Sequence, residues 1–195
     1  MRCDVRDPAE VQAVVDRAVD AFGGVDILVN NSGTSWKAAP EDIPLEAWDK
    51  VLDVNLKGTF LFAQSAGRAM IASGRGGKII NVSSFTAFRG LDPSELDAPP
   101  YSVSKGAVVS LTIDLAVKWA RHGINVNAIA PGWFRSDMTE VVLENAGSSF
   151  EQKLPLRRLG GPDDLKGAVV YFASRASDYV TGQTLAVDGG ALAAW

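Results

Sequence analysis

Four strand-length runs, VDILVNN, KIINVSS, INVNAIAPG and QTLAVDGG, recur along the chain, and each gives way to polar or glycine residues. Apolar residues fall on successive positions within them, so both faces of each strand must be covered, as in a parallel sheet sandwiched by helices. The intervening segments have the helical period. Asp7, Pro8 and Glu10 are spaced as N-cap, first helical residue and capping-box partner, and Val11, Val14, Val15, Ala18 and Phe22 repeat up to a stop at Gly23 and Gly24. A second long helix is predicted from Leu45, Trp48, Val51, Leu52, Leu56, Phe60 and Leu61, closing near Gly74, Gly76 and Gly77. A third carries Tyr101, Lys105, Val108, Leu111, Leu115 and Trp119, and a last helix opens at Pro162 and runs through Val169 and Phe172. Alternation of helices and buried strands makes the fold class α/β. No repeat, low-complexity tract or linker divides residues 1–195, which read as a single domain.

Several function classes are disfavoured at this level. The longest apolar runs, near Val25 to Val29 and Ile124 to Ala130, fall far short of a bilayer span, so no membrane association is expected. The opening MRCDVRDPAE mixes both charge signs and lacks an apolar signal segment, which points to the cytoplasm. A single cysteine, Cys3, excludes an internal disulfide, and with the single histidine, His122, it gives no ligand cluster for zinc; no metal site is expected. The net charge of −4 provides no broad basic surface, so nucleic acid is not an expected partner.

Tyr101 and Lys105, four residues apart in YSVSK, share one helix face. An ammonium about 5 Å from the phenol, at an effective dielectric near 20, favours phenolate by roughly 3 kcal/mol, or roughly two pKa units. Desolvation opposes that shift. On this reading Tyr101 acts as acid or base near neutral pH; on the plainer one, the two are an ordinary amphipathic pair. The context favours chemistry. Ser83 and Ser84 end the strand before this helix, Asn31, Ser32 and Gly33 end an earlier strand, and Pro131 and Gly132 end the following one. Ligands of open α/β sheets bind outside the carboxyl ends of the strands, so all these groups converge on one edge.

The ordered set CDV, NNSG, VNLKG, IINVSS, YSVSK, NAIAPG and VTGQTLAVDGG resembles short-chain dehydrogenases/reductases over essentially the whole chain. The resemblance implies a Rossmann-type doubly wound parallel sheet, with NAD or NADP as cofactor and a secondary alcohol or ketone as small-molecule substrate. By it, Tyr101 is the general acid/base, Ser84 binds the substrate oxygen, Lys105 lowers the tyrosine pKa and holds the nicotinamide ribose, and Asn55 supports a water in the proton relay. Cofactor contacts are implied for Asp4, Val5, Asn31, Ser32, Gly33, Tyr101, Lys105, Pro131, Gly132, Phe134 and Ser136. The gluconate 5-dehydrogenase and 3-oxoacyl-carrier-protein reductase branches are the nearest in pattern. The resemblance also implies a homo-oligomer, dimer or tetramer, in which the helices at Trp48 to Leu61 and Val108 to Trp119 pair across a two-fold axis. Plainer roles stay open for Asn55, as a helix kink or cap, for Ser83, bonding backbone, and for Asp188, Gly189 and Gly190, as a turn.

The sequence departs from the family pattern in two places. No glycine-rich turn follows a strand into a helix; Gly23, Gly24, Gly74, Gly76 and Gly77 instead sit where helices end. The chain starts inside the third strand of the pattern, so the sheet is expected to lack its first two strand-helix units, on the order of 55 to 60 residues at about 30 per unit. VDILVNN then becomes an open edge, and the chain by itself is expected to bind cofactor poorly. The competing class is a cofactor-free remnant serving as an oligomerisation scaffold; a serine hydrolase built on Ser84 lacks both histidine partner and G-x-S-x-G elbow. The second departure is RGLDPSELDAPP, which sets Tyr101 about four residues farther from Ser84 than the family does, as an added loop. Its Asp92, Glu95 and Asp97 either orient a polar substrate or are simply solvated. Met138 to Pro155 occupies the substrate-lid region.

Overall fold

The computed structural model describes residues 1–136, 139 and 149–194. In chain order it contains α1 (Pro8–Phe22), β1 (Ile27–Asn30), α2 (Leu45–Leu52), α3 (Gly58–Ser73) and β2 (Gly77–Val82). Then follow α4 (Pro99–Trp119), β3 (Ile124–Pro131), α5 (Ser149–Lys153), α6 (Lys166–Ala173) and β4 (Thr184–Val187). The strands form one sheet in the order β1-β2-β3-β4, each pair parallel, as the unbroken apolar runs required.

Adjacent residues of β2 show how both faces are covered. Ile79 packs into a cluster with Ala63, Ala66 and Met70 of α3 and Leu115 and Ala116 of α4. Ile80, turned the other way by the strand pleat, packs with Ile129 and with Phe172 of α6. Beyond the strand ends, Phe85, Trp133, Leu154 and Ala191 form a third cluster, with Phe85 and Trp133 edge to face at 5.6 Å. Coverage fails at one side of the sheet. Among the described residues β1 pairs only with β2, and Ile27 and Val29 are 49% and 41% exposed, so VDILVNN is the open edge anticipated from the sequence.

Four details differ from the sequence reading. Asp7 caps α1, accepting from the N–H groups of Ala9 and Glu10 at 2.7 and 3.2 Å, but Glu10 does not complete a capping box. The Asp7 N–H already donates to the Asp4 carbonyl, and Glu10 accepts instead from the Asp4 N–H at 2.7 Å. Cys3–Val5, expected inside a strand, joins no ladder among the described residues; its polar groups are spent on this local turn. The predicted second helix is interrupted by a π turn, Asp53–Lys57, between α2 and α3. The last helix begins at Lys166, not Pro162. Asp164 ties residues 161 to 164 into a turn, accepting from the Gly161 N–H at 2.6 Å while pairing with Arg158.

The glycine readings are borne out where φ is positive. Gly23 and Gly74 close α1 and α3 in the left-handed conformation, at φ 77° and 66°. Asp188 to Gly190 is a turn, Asp188 accepting from the N–H groups of Gly190 and Leu192 at 2.9 and 2.8 Å. Of the Met138 to Pro155 lid region, residues 138 and 140–148 lie outside the described residues; the rest contains α5. Among the described residues, no helix is long and apolar enough to cross a membrane.

Candidate active site

The carboxyl ends of β1 and β2, the π turn and the first turns of α4 meet at one place. Asn55 occupies the middle of the π turn and is completely buried. A π turn inserts one residue into a helix and so redirects a side chain, a device that recurs at functional sites. Asn55 Oδ1 accepts from the Thr34 N–H at 2.8 Å, while its Nδ2 donates to the Thr34 carbonyl and to Ser104 Oγ, each at 2.9 Å. Ser104 in turn donates to the Tyr101 carbonyl at 2.7 Å, which links the π turn to the start of α4. The kink reading and the site reading of Asn55 therefore describe one arrangement: the kink is what turns the amide inward.

Lys105, one helical turn after Tyr101, is buried and donates to the carbonyl of Val82 at the end of β2, at 2.7 Å. Its ammonium lies 5.7 Å from the centre of the Tyr101 ring. Ser83 donates to the Lys105 carbonyl at 2.8 Å, so its role is the backbone-bonding one. Ser84 is the buried cap of the short turn that follows β2, accepting from the N–H and hydroxyl of Thr86 at 3.2 and 3.0 Å, and it hydrogen-bonds Tyr101. Below the site, Asn30 donates to Asn81 and Asn81 to Thr112, both at 2.9 Å, so the polar residues inside apolar strands are satisfied across the β1-β2-α4 layers.

The electrostatics reverse one expectation. Burial pushes the Tyr101 phenol above its ordinary pKa, with the Ser84 hydrogen bond pulling the other way. Desolvation also lowers Lys105 to about 8. Helical spacing supplied proximity but not burial, and burial weakens the very cation that was to stabilise phenolate. The ammonium sits over the ring with one N–H committed to Val82.

The expected cofactor residues divide into two groups. Asn31, Ser32 and Gly33 are exposed at the end of β1, and a Cβ on Gly33 would stand 3.7 Å from both Asn55 Oδ1 and Lys105 Nζ. Lys105 has three ammonium donors and spends one on Val82, which leaves two beside the space that Gly33 keeps free of a side chain; that chemistry fits ribose hydroxyls. Pro131 ends β3, and Gly132 passes so close to Asp188 that a Cβ would lie 2.6 Å from its Cα. Phe134 bridges to Gly160, and Ser136 donates its N–H to Thr139 at 3.0 Å. Asp4 and Val5 are engaged differently: Asp4 is held by Arg6 at 2.6 Å, which lowers its carboxyl to about 2, and Val5 packs on Gly58. Among the described residues no glycine-rich turn leads from a strand into a helix.

Ser35, Lys37, Ser84, Tyr101, Gly132 and Thr139 line one pocket of about 440 Å³, with Phe85, Leu96 and Trp133 as apolar walls. Thr34, Ser35, Lys37, Ser104 and Thr139 were not singled out from the sequence; Thr34 and Ser104 owe their roles to Asn55, 21 and 49 residues away. Of the added-loop acids, Glu95 is only 12% exposed and pairs with Lys153 at 2.5 Å, while Asp92 accepts from the Ser94 N–H and hydroxyl. Neither lines this pocket: Glu95 braces the loop against α5, whereas Asp92 is exposed, as a solvated loop acid would be, and bonds only within its own turn.

Residues 1–191 match a family model described as enoyl-(acyl carrier protein) reductase. A short-chain type dehydrogenase/reductase from Mycobacterium marinum superposes with a TM-score of 0.94 at 40% identity, covering 98% of this chain and 74% of that one. The chain belongs to the short-chain dehydrogenase/reductase family. It is 42% identical over 195 residues to 2-dehydro-3-deoxy-D-gluconate 5-dehydrogenase of Escherichia coli K12, covering 99% of this chain and 76% of the relative. A gluconate 5-dehydrogenase from Burkholderia cenocepacia, solved in complex with NADP and tartrate, superposes with a TM-score of 0.92 at 39% identity, covering 98% of this chain and 74% of that one. These relatives are dehydrogenases, and the chain is an oxidoreductase of the same family; nothing in its likenesses supports a scaffold role.

Proposed function

We propose that this oxidoreductase interconverts a secondary alcohol and ketone on a sugar-acid or related polyol substrate, using Asn55, Ser84, Tyr101 and Lys105. The observation that carries the reading is the gathering of Ser84, Tyr101, Lys105 and Asn55 at the sheet edge where ligands bind: Ser84 and the Lys105 ammonium stand beside Tyr101, and Asn55 is tied through Ser104 to the Tyr101 carbonyl. Bound NAD or NADP would supply hydride transfer to or from the reacting carbon. Lys105 would hold the nicotinamide ribose and Asn31 to Gly33 the adenosine side, with Pro131, Gly132, Phe134 and Ser136 on the nicotinamide ring side.

Ser84 holds the reacting oxygen of the substrate, and Tyr101 moves its proton. In reduction the phenol donates to the carbonyl oxygen, and its raised pKa keeps that proton in place until it is needed. In oxidation Tyr101 must first give up its own proton to solvent and then, as phenolate, accept the alcohol proton, and the neighbouring Lys105 charge favours that phenolate. Asn55, by holding Thr34 and Ser104, keeps the π turn in register with α4. A carboxylate on the substrate is supported by Lys37, which lines the pocket and has no ion pair among the described residues, and by the sugar-acid names of the relatives.

The exposed apolar residues Val103, Ile113 and Val117 of α4 and Leu45 of α2 support a homo-oligomer built on these helices. The test of the function is a panel of alcohols and ketones with NAD and NADP, followed by nicotinamide absorbance. Sugar acids are expected to turn over faster than uncharged secondary alcohols. A protein that binds cofactor yet turns over no hydroxy acid refutes the reading.

A further inference from the structure

We infer that Ser35 is a specificity-determining residue, whose hydroxyl reads a substrate hydroxyl next to the reacting carbon. The inference rests on the proposed sugar-acid site and extends it. Ser35 Oγ is shielded from solvent and has no hydrogen-bond partner among the described residues. Folded proteins leave few such groups, because a buried hydroxyl without a partner has given up its water for nothing. Ser35 lines the same pocket as Ser84 and Tyr101, and a turn of its short side chain to another staggered rotamer would bring the shielded hydroxyl to a ligand there. A carbonyl or carbinol alone is served by Ser84 and Tyr101. A neighbouring hydroxyl, which can both donate and accept, satisfies Ser35 as a second point of attachment.

The backbone around Ser35 is held on both sides. Thr34 is clamped by two hydrogen bonds from Asn55, at 2.8 and 2.9 Å. Ala38 donates to the carbonyl of Asp97 at 3.1 Å, joining this wall to the added loop. Through Glu95 and Lys153 the same loop is joined to α5. Ser35 is therefore presented by a braced segment, which gives a single hydroxyl its discriminating power: a site built to bond a hydroxyl penalises the analogue that lacks it.

Tartrate and succinate test this directly, since they carry the same two carboxylates and differ in their hydroxyls. Titrations of the full chain followed by NMR are expected to give about tenfold tighter binding of tartrate. Ser35→Ala is expected to reduce that preference to about twofold and Ser35→Thr to retain it, with the melting temperature of Ser35→Ala no lower than wild type. An unchanged preference in Ser35→Ala overturns the inference, as does a fall in its melting temperature of several degrees, which marks a structural role. Equal binding of the two ligands by the wild type overturns the inference while leaving the carboxylate site standing. Binding of neither overturns the sugar-acid reading and the inference with it.

Discussion

The Tyr101 end and the β1 end of the same sheet edge are built to different standards. Around Tyr101 and Lys105 nearly every polar group is spoken for: Asn55 holds Thr34 and Ser104, Lys105 holds Val82, and Ser84 meets Tyr101. At β1, Asn31 to Gly33 are exposed, Ile27 and Val29 are open to solvent, and Asp4 is satisfied locally by Arg6 and Glu10. Acid/base chemistry needs a desolvated, fixed constellation, and the first region has one. Gripping a dinucleotide along its length needs backbone amides at a strand-to-helix turn, which the described residues do not contain. The first requirement is thus met at the Tyr101 end and the second is not met among the described residues, so the chemistry can be perturbed without touching the grip on cofactor.

The largest separation is expected from Tyr101→Phe. Losing the phenol removes the proton donor and acceptor, so turnover should fall by about a thousandfold, within the range usual for acid/base groups. Cofactor affinity, read by fluorescence titration, should change little, since Lys105 and the Gly33 backbone remain. Residual turnover within tenfold of wild type would show that the cluster is not the chemical centre. A large loss of cofactor affinity would show that the two regions are not separable.

The sequence made part of this contrast legible, and the reasons are physical. Tyr101, Lys105 and Ser84 could be found because a four-residue helical spacing and a strand terminus are local facts. The sheet order and open edge followed from apolar runs and the family pattern. The π turn was invisible because the apolar positions Val51, Leu52, Leu56, Phe60 and Leu61 continue straight through it. Ser104 and Thr34 were missed because their bonds to Asn55 span 49 and 21 residues. The tyrosine shift came out with the wrong sign because a spacing gives a distance, whereas the outcome depends on how much water the fold removes.

That same burial predicts a pH signature at the closed end. With Lys105 at about 8 in the fold against 10.5 ordinarily, the unfolded chain binds the extra proton between those values. The stability due to this group is complete above about 10.5 and is lost as the pH falls to 8. Wild type should therefore gain about 2 kcal/mol between pH 8 and 10 relative to Lys105→Met, measured by urea unfolding of both proteins. The difference in slope is the readout, because Met also removes the bond to Val82. Parallel profiles would mean that Lys105 is solvated, and the contrast between the two ends would lose its electrostatic half.

The smallest effect belongs to the open end and sharpens the comparison most locally. Val29 and Ile80 are neighbours in register on β1 and β2, and their side chains share one face of the sheet. Ile80 is fully buried beneath Phe172 of α6, while Val29 is 41% exposed, so one strand step crosses from covered to bare sheet. Val29→Lys should change stability by no more than about 0.5 kcal/mol, because an exposed position loses little burial and a lysine can reach water. It should also reduce self-association by light scattering, since charge on an edge strand opposes strand pairing. Ile80→Lys places the same charge under α6 without a partner and should prevent folding. If Val29→Lys is as damaging as Ile80→Lys, the β1 face is covered in solution, and the edge is a docking surface in use instead of bare strand.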